Sequence, residues 1–380
     1  MAKRQGAPGS KGRAGPAAKR MAGQVADVYP SDGEPNEVLT KRRPTMTDVA
    51  RIAGVSQSSV SMVLNQMSGA RISEATGTRV RDVAAQIGYS LPGQRRFDRM
   101  PPNRTIAYLV DEISTSPHPV VNLDGARDAA WESGILVAAH VTRSNQDLEA
   151  ATIENIRRDP SVIGIIYSTI FTRKLPNAPA TGDIPTVLLN CYCDDRRLNA
   201  VVPGEVAGAF TAAQHLLAHG HRRIAFINGE PWMDAARDRL KGFRQALATA
   251  DIAFDPAIAR NGDWLPLSGY QLTRELLSAD ARPTAVFCAN DLMAIGALEA
   301  ASELGLRVPD DVSIMGYDDQ ELARYTHPPL STLVLSNYEM GRRAAELVID
   351  MAVQGKDQRP LTFKIDGPLV ERASVGPAAI

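Results

Sequence analysis

The sequence predicts a small all-α helix-turn-helix headpiece joined to a two-lobed α/β body. Three observations carry this expectation. Residues 45–89 hold three short amphipathic helical patterns punctuated by capping residues and Gly; beyond residue 103, short apolar runs alternate with helical periodicity; and charge is unevenly divided. Residues 1–100 carry 16 Lys and Arg against 8 Asp and Glu, whereas the remainder carries 26 against 35. A basic first quarter on an acidic remainder points to nucleic-acid binding by the head and another ligand for the body. The plainer alternative is a basic tail that only aids solubility.

Residues 1–44 are rich in Gly, Ala, Pro, Lys and Arg and show neither a strand nor a helix period. Such a segment cannot bury enough surface to offset its chain entropy, so a disordered basic tail is expected. At Thr45 the character changes. Thr45-Met46-Thr47-Asp48 has the spacing of a capping box, and Val49, Ile52 and Ala53 then make an apolar face that Gly54 ends. Ser56 can cap a second helix with Val60, Val63 and Leu64 inward and Gln57, Ser58, Ser61 and Met62 outward. A third follows Ser73, with Val80, Val83, Ala84 and Ile87 on one stripe and Gly88 as its stop. Three short helices, the first two joined by a tight Gly turn, make a helix-turn-helix.

Residues 90–103 read as a linker. The body, residues 104–380, has expected strands at 104–110, 135–141, 162–167, 184–190, 223–228, 284–289 and 312–316. Expected helices lie near 122–133, 146–158, 205–219, 237–250, 268–278, 291–304 and 337–353. Repeated strand–helix units with apolar strands imply parallel sheets covered on both faces. So long a body implies two lobes, with a ligand cleft at the strand C-termini.

Composition narrows the function. No apolar run approaches the length of a membrane span, and the Lys- and Arg-bearing start lacks the apolar core of a secretory signal. Three cysteines, Cys191, Cys193 and Cys288, suit neither a disulfide framework nor a four-ligand zinc site. The histidines at 118, 140, 215, 219, 221 and 327 stand at no telling spacing from a Ser or Cys nucleophile. The expectation is a cytoplasmic, nucleoid-associated protein with no metal and no cofactor, and not an enzyme.

The strings PTMTDVARIAGVSQSSVSMVLN and ISEATGTRVRDVAAQIGY are highly specific in combination. Residues 45–89 resemble the headpiece of the LacI/GalR family of bacterial transcription regulators, and the resemblance continues through the body. In that family the second helix enters the major groove and its first exposed positions read base edges. The resemblance therefore implies base contacts from Gln57, Ser58 and Met62, with Ser61 on the same face. Phosphate or positioning contacts are implied for Thr45, Thr47, Ser56, Ser59, Asn65 and Arg71, although Thr45 and Ser56 serve equally as helix caps. The linker SLPGQRRFDRMPPN departs from the family's hinge helix. Pro92 falls one position late, and Asp98 stands where a minor-groove Leu is usual. Arg95 and Arg96 remain phosphate ligands, and weaker DNA bending is expected.

The body is similar to the family's effector domain, itself similar to periplasmic sugar-binding proteins. The best-matched stretches include ARDRLKGFRQAL, PTAVFCANDLMAIGAL and LGLRVPDDVSIMGYDD. By resemblance, Asp318 accepts from vicinal hydroxyls, Asn290 donates and accepts, Trp264 stacks on a sugar face, and Arg239 supplies a charged fork. Arg237 is either the alternative cleft arginine or a surface ion-pair partner, Trp264 has an alternative as an interlobe core residue, and Asp291 is set aside as a helix cap. On the first-lobe wall Ser116-Pro117 matches the family's short polar pair. The wall departs from the pattern at His118 and Pro119, where aromatics are usual, at Asn190 and Cys191, where Asp and Arg are common, and at Pro203-Gly204-Glu205, where Asp-Asn is usual. Glu205 reads as a helix cap acting through the dipole. The implied function is a sequence-specific DNA-binding regulator, a repressor and homodimer. It would bind a pseudo-palindromic double-stranded operator, with affinity switched by a carbohydrate effector and no membrane partner. A solute-binding protein of a carbohydrate transport system is the alternative that the body alone would fit.

Overall fold

The computed structural model describes residues 44–64, 72–89, 103–195, 197–355 and 359–378. Asn65, Arg71, Arg95, Arg96 and the expected linker up to residue 102 lie outside them, as does the side chain of Ser58. The chain divides into two compact units, Met1–Leu91 and Pro92–Ile380.

In the first unit, α1 (Met46–Ala53), α2 (Gln57–Leu64) and α3 (Glu74–Gln86) surround a core of Val49, Ala50, Ala53, Val60, Val80, Val83 and Ala84. The capping box forms. The Thr45 N–H donates to Asp48 Oδ2 at 2.8 Å, and the Asp48 N–H donates back to Thr45 Oγ1 at 3.3 Å. Gly54 ends α1 at φ +65°, a left-handed turn that glycine adopts without Cβ strain. At the next start, the Ser59 N–H donates to Ser56 Oγ at 3.1 Å.

The second unit has two lobes. Lobe 1 is a six-stranded parallel sheet built from β1 (Thr105–Val110), β2 (Leu136–Val141), β3 (Val162–Lys174), β4 (Thr186–Tyr192), β5 (Asn199–Pro203) and β11 (Thr362–Ile365). Its order is β11-β5-β4-β3-β1-β2. Alternation along β1 divides the core. Ile106, Tyr108 and Val110 pack with α4 (His118–Trp131) and α10 (Asn337–Gln354), while Ala107 and Leu109 pack with Ile153 and Ile156 of α5 (Gln146–Arg158). Helices α4 and α10 approach through paired glycines. A Cβ on Gly125 would stand 1.9 Å from Tyr338 O, and one on Gly341 would stand 1.9 Å from Asn122 O.

Lobe 2 is a four-stranded parallel sheet of order β7-β6-β8-β9, from β6 (Ile224–Asn228), β7 (Ala259–Asn261), β8 (Ala285–Cys288) and β9 (Ser313–Met315). It is accompanied by α6 (Glu205–Ala218), α7 (Asp234–Thr249), α8 (Pro266–Leu277) and α9 (Asp291–Glu303). Phe226 stacks on Phe243 at 4.8 Å and meets Phe287 at 5.2 Å in its core. An antiparallel pair, β10 (Thr332–Leu333) with β12 (Leu369–Val370), completes the lobe.

The chain passes between lobes at three places: after β5, between β10 and α10, and between β11 and β12. These segments bind one another, the Gly204 N–H donating to Ile365 O at 2.9 Å and Ser336 Oγ to Asp366 O at 3.0 Å. Every expected strand and helix is present. The sequence reading missed β5, β7, β10, β11 and β12, cut β3 short after residue 167, and started α4 four residues late.

Candidate functional site

On the headpiece, α2 buries Val60 and leaves Gln57 and Met62 exposed and Ser61 partly so. Thr45, Thr47 and Ser56 are exposed at helix N-termini, with Ser59 partly exposed. The hydroxyls of Thr45 and Ser56 each take part in capping as well, Ser56 Oγ lying 2.8 Å from Ser59 Oγ.

The body holds a cavity of about 290 Å³ between the lobes, at the C-terminal ends of the parallel strands. All seven sequence-predicted effector residues, Ser116, His118, Asn190, Arg239, Trp264, Asn290 and Asp318, line it. Lobe 1 contributes the first three. Asn190 lies within the buried run of β4 at φ +59°; its Nδ2 donates to Thr169 O at 3.0 Å and its Oδ1 accepts from Thr172 at 2.5 Å. His118 opens α4, its backbone N–H donating to Ser116 Oγ at 3.4 Å. Its Nδ1 lies 2.9 Å from Asn337 Nδ2, and its Nε2 lies 3.7 Å from Asp318 Oδ2 across the cleft.

Lobe 2 contributes the aromatic face and the charges. Trp264 is held at φ +69° with Nε1 2.9 Å from Met233 Sδ. Its indole lies so close over Gly229 that a Cβ there would be 1.9 Å from the ring, so only glycine fits beneath it. Trp264 thus lines the cavity while also packing against the lobe core.

Two details correct the sequence reading and a third decides an alternative that it left open. Arg239 does not offer its fork to the cavity. Its Nε and Nη2 donate to Glu205 at 2.7 and 2.9 Å, and its Nη1 donates to the Ala289 carbonyl and to Asp318 at 3.3 Å. The guanidinium also lies 3.7 Å from the Tyr317 ring centroid. Glu205, read as a dipole cap, is the main partner of this arginine and lines the cavity itself. Second, Asn290 rather than Asp291 caps α9. Its Oδ1 accepts from the Met293 N–H at 2.9 Å and its Nδ2 donates to Trp264 O at 2.9 Å, leaving one N–H for a ligand. Asp291 sits behind the wall, accepting from Thr332 Oγ1 at 2.6 Å and the Gln320 N–H at 2.7 Å. Third, of the two readings of Arg237 the ion-pair partner is the one seen: it pairs with Asp234 and the Trp232 carbonyl, outside the cavity lining.

Burial pushes the Asp318 carboxyl above its ordinary range, against the pull of Arg239 and His118. Burial and the neighbouring Asp318 push Asp291 up further. Burial alone would depress Arg239, but Glu205 and Asp318 hold it above its ordinary value, so it stays charged. Sequence reasoning did not assign Gln320, Asn337 or Phe171 to the lining, and it gave Glu205 a capping role only. Of these, only Glu205 carried a signal, as a departure from the family pattern.

A helix-turn-helix unit combined with a two-lobed cleft of polar and aromatic groups defines a class: DNA-binding regulators that carry a small-molecule effector domain. Similarity to known proteins agrees. Residues 45–91 match the family described as bacterial regulatory proteins, lacI family, and residues 213–375 match the periplasmic binding protein-like domain. The HTH-type transcriptional repressor PurR of Vibrio cholerae is 30% identical over 339 residues, covering 87% of this chain and 98% of the relative. PurR of Aliivibrio fischeri is 29% identical over 335 residues with the same coverage. Among solved structures, a LacI-family regulator from Rhizobium etli is 30% identical with TM-score 0.66, covering 72% of this chain and 99% of its own. The regulator CelR in complex with cellobiose is 28% identical with TM-score 0.59, covering 87% and 100%. The lac repressor dimer bound to operator is 27% identical with TM-score 0.60, covering 88% and 100%. The chain belongs to the LacI family of bacterial transcriptional regulators. It is a DNA-binding transcriptional regulator with a ligand-binding effector domain. Among the described residues, no helix is long and apolar enough to cross a membrane.

Proposed function

We propose that the protein is a homodimeric repressor acting at the nucleoid, whose affinity for a pseudo-palindromic operator is switched by a small polyhydroxylated ligand, a sugar or sugar derivative, in the interlobe cleft. One observation carries the ligand class: the cavity brings Trp264 together with short polar groups from both lobes, Ser116, His118 and Asn190 on one side and Asn290 and Asp318 on the other. An aromatic face with convergent hydrogen-bonding groups suits a ring that is apolar on its faces and hydroxylated at its edge. The cellobiose bound to CelR supports the same class. On the headpiece, Gln57, Ser58, Ser61 and Met62 would read base edges. Thr45, Thr47, Ser56, Ser59, Asn65, Arg71, Arg95 and Arg96 would contact phosphates.

The test is a thermal-shift screen of the intact protein against sugars, sugar acids, polyols and nucleobases. Ligand at 100 times Kd stabilises by about 2.7 kcal/mol. The expected result is a sugar that raises Tm, fails to do so in Trp264→Ala, and changes operator affinity in a gel shift. A nucleobase hit with no sugar hit would refute the carbohydrate reading. Operator binding that responds to no compound would refute the switch.

A further inference from the structure

We propose that Glu205 makes the effector site selective for uncharged or cationic ligands and closes it to carboxylates and phosphates, so that the effector is a neutral or amino sugar and not a sugar acid. This deepens the carbohydrate reading of the cleft and rests on it.

Arg239 is the one Lys or Arg among the described residues that line the cavity. A guanidinium has five N–H donors. One goes from Nε and one from Nη2 to the two oxygens of Glu205, in the parallel bidentate pairing. Two more leave Nη1, for the Ala289 carbonyl and Asp318. A single N–H remains, on a guanidinium whose side chain is only 4% exposed. The charge is likewise matched. Glu205 cancels Arg239 by itself, and Asp318 adds negative charge whenever it is ionised, so in neither protonation state is the cluster positive.

This arrangement does not depend on how far the lobes are closed. Arg239 on α7, Glu205 at the start of α6, Ala289 after β8 and Asp318 after β9 all belong to lobe 2, so hinge motion leaves the pairing intact. His118, the remaining titratable group on the lining, faces Asp318 from lobe 1 and has Asn337 at its other nitrogen. An anionic ligand entering beside Trp264 would meet two carboxylates with no free guanidinium fork to receive it. A hydroxylated neutral ligand would instead find acceptors in Glu205 and Asp318, and an ammonium group would be attracted to them.

The experiment is calorimetric titration of the intact wild-type protein with matched sets: each neutral sugar found in the screen, its uronic or aldonic acid, and its 2-amino analogue. Selectivity is read first on the wild-type chain, without any substitution. The neutral and amino members should bind, and the acid should bind at least about 100-fold more weakly, the scale of like charges brought together at close range. In Glu205→Gln, checked for folding by circular dichroism, the gap between acid and neutral sugar should narrow to within about tenfold. A sugar acid bound by wild type as tightly as its neutral parent overturns the proposal while leaving the carbohydrate reading in place. An unchanged gap in folded Glu205→Gln assigns the selectivity elsewhere and overturns the role of Glu205. Failure of every member of every set to bind removes the carbohydrate reading and this proposal with it.

Discussion

Replacing Arg239 by Met keeps a long side chain in the lobe and removes its charge. Glu205 then loses two charge-assisted hydrogen bonds and Asp318 loses its cation. Each of the three side chains is only 4% exposed, so water replaces the arginine's bonds poorly. Breaking a buried ion pair by deleting one partner costs about 3–5 kcal/mol. A second route gives the same scale. A stranded carboxylate can shed its charge by taking up a proton, and for an ordinary glutamic acid at pH 7 that costs about 3.7 kcal/mol. At pH 5 the same step costs about 1 kcal/mol. Asp318 adds less, since burial already pushes its carboxyl upward. Arg239→Met should therefore lower the unfolding free energy by about 3–4 kcal/mol at pH 7. The deficit should shrink toward pH 5, because the folded variant then holds a proton that the unfolded chain binds only at lower pH. Trp131, Trp232 and Trp264 all lie in the body, so urea unfolding followed by selectively excited tryptophan fluorescence reads this unit alone. Adding Glu205→Gln to Arg239→Met should restore much of the loss. A deficit below about 1 kcal/mol, as for an exposed pair, or one that does not change with pH, would refute the reasoning.

Thr45→Ala removes one half of the capping box and should destabilise the headpiece by about 0.5–2 kcal/mol, read as faster amide exchange in α1 with the body unchanged. Gly229→Ala would drive a methyl into the Trp264 ring; affinity for the effector found in the screen should fall at least tenfold by calorimetry, with DNA binding retained. Burial holds His221 below the ordinary imidazole range, against a hydrogen bond to the Gly376 carbonyl. The folded state then resists protonation, so stability held above about pH 6.5 is lost as pH falls through it. His215 is shifted the same way, also by burial, and adds to the slope. His221→Gln should reduce that slope by up to about 1.4 kcal/mol per pH unit in urea melts at pH 5 to 7. Gln57→Ala should cost about 1–3 kcal/mol against the cognate operator and little against bulk DNA, measured by gel shift at fixed salt.

The order of elements was legible because parallel strands buried on both faces read as apolar runs, as Thr105–Val110 and Ile224–Asn228 do. The strands missed lack that signature. β7, β10 and β12 have two or three residues each, β11 alternates with a lysine, and β5 ends in Pro203. The far half of β3, Thr169–Lys174 in sequence, mixes Ile170 and Phe171 with four polar or charged residues and pairs only through Arg173 and Lys174 after a register shift. In the site, residue types in a family pattern found the lining, and all seven residues line one cavity. What each group does was less legible. Asn290 and Asp291 are neighbours and both are plausible caps; only the backbone torsion of Asn290 and its bond from Met293 decide between them. Glu205 and Arg239 lie 34 positions apart on different helices, a pairing that no local spacing encodes.

That pairing also bears on how a ligand can move the lobes. Lobe 2 presents a wall already locked by its own bonds: Arg239 to Glu205 and Ala289, Asp291 to Thr332, Asn290 to its helix and to Trp264. Contacts across the cleft are fewer and weaker. His118 stands 3.7 Å from Asp318, Tyr192 Oη donates to Asp234 at 2.9 Å, and Phe171 meets Trp232 edge-on at 5.5 Å. A ligand shifts a conformational equilibrium only by its difference in affinity for the two states. Bonds to the locked wall alone would be the same in open and closed forms and would shift nothing. On the proposed reading the switching energy would come from the lobe 1 side. Ser116, His118 and Asn190 line the same cavity from the other lobe and would touch a ligand held on the lobe 2 wall only with the lobes together. Substitution at Ser116 should therefore weaken the operator response to ligand more than it weakens binding, and substitution at Trp264 should do the reverse. Equal loss of binding and response in both variants, measured by calorimetry and by ligand-titrated gel shift, would refute this division between the two walls.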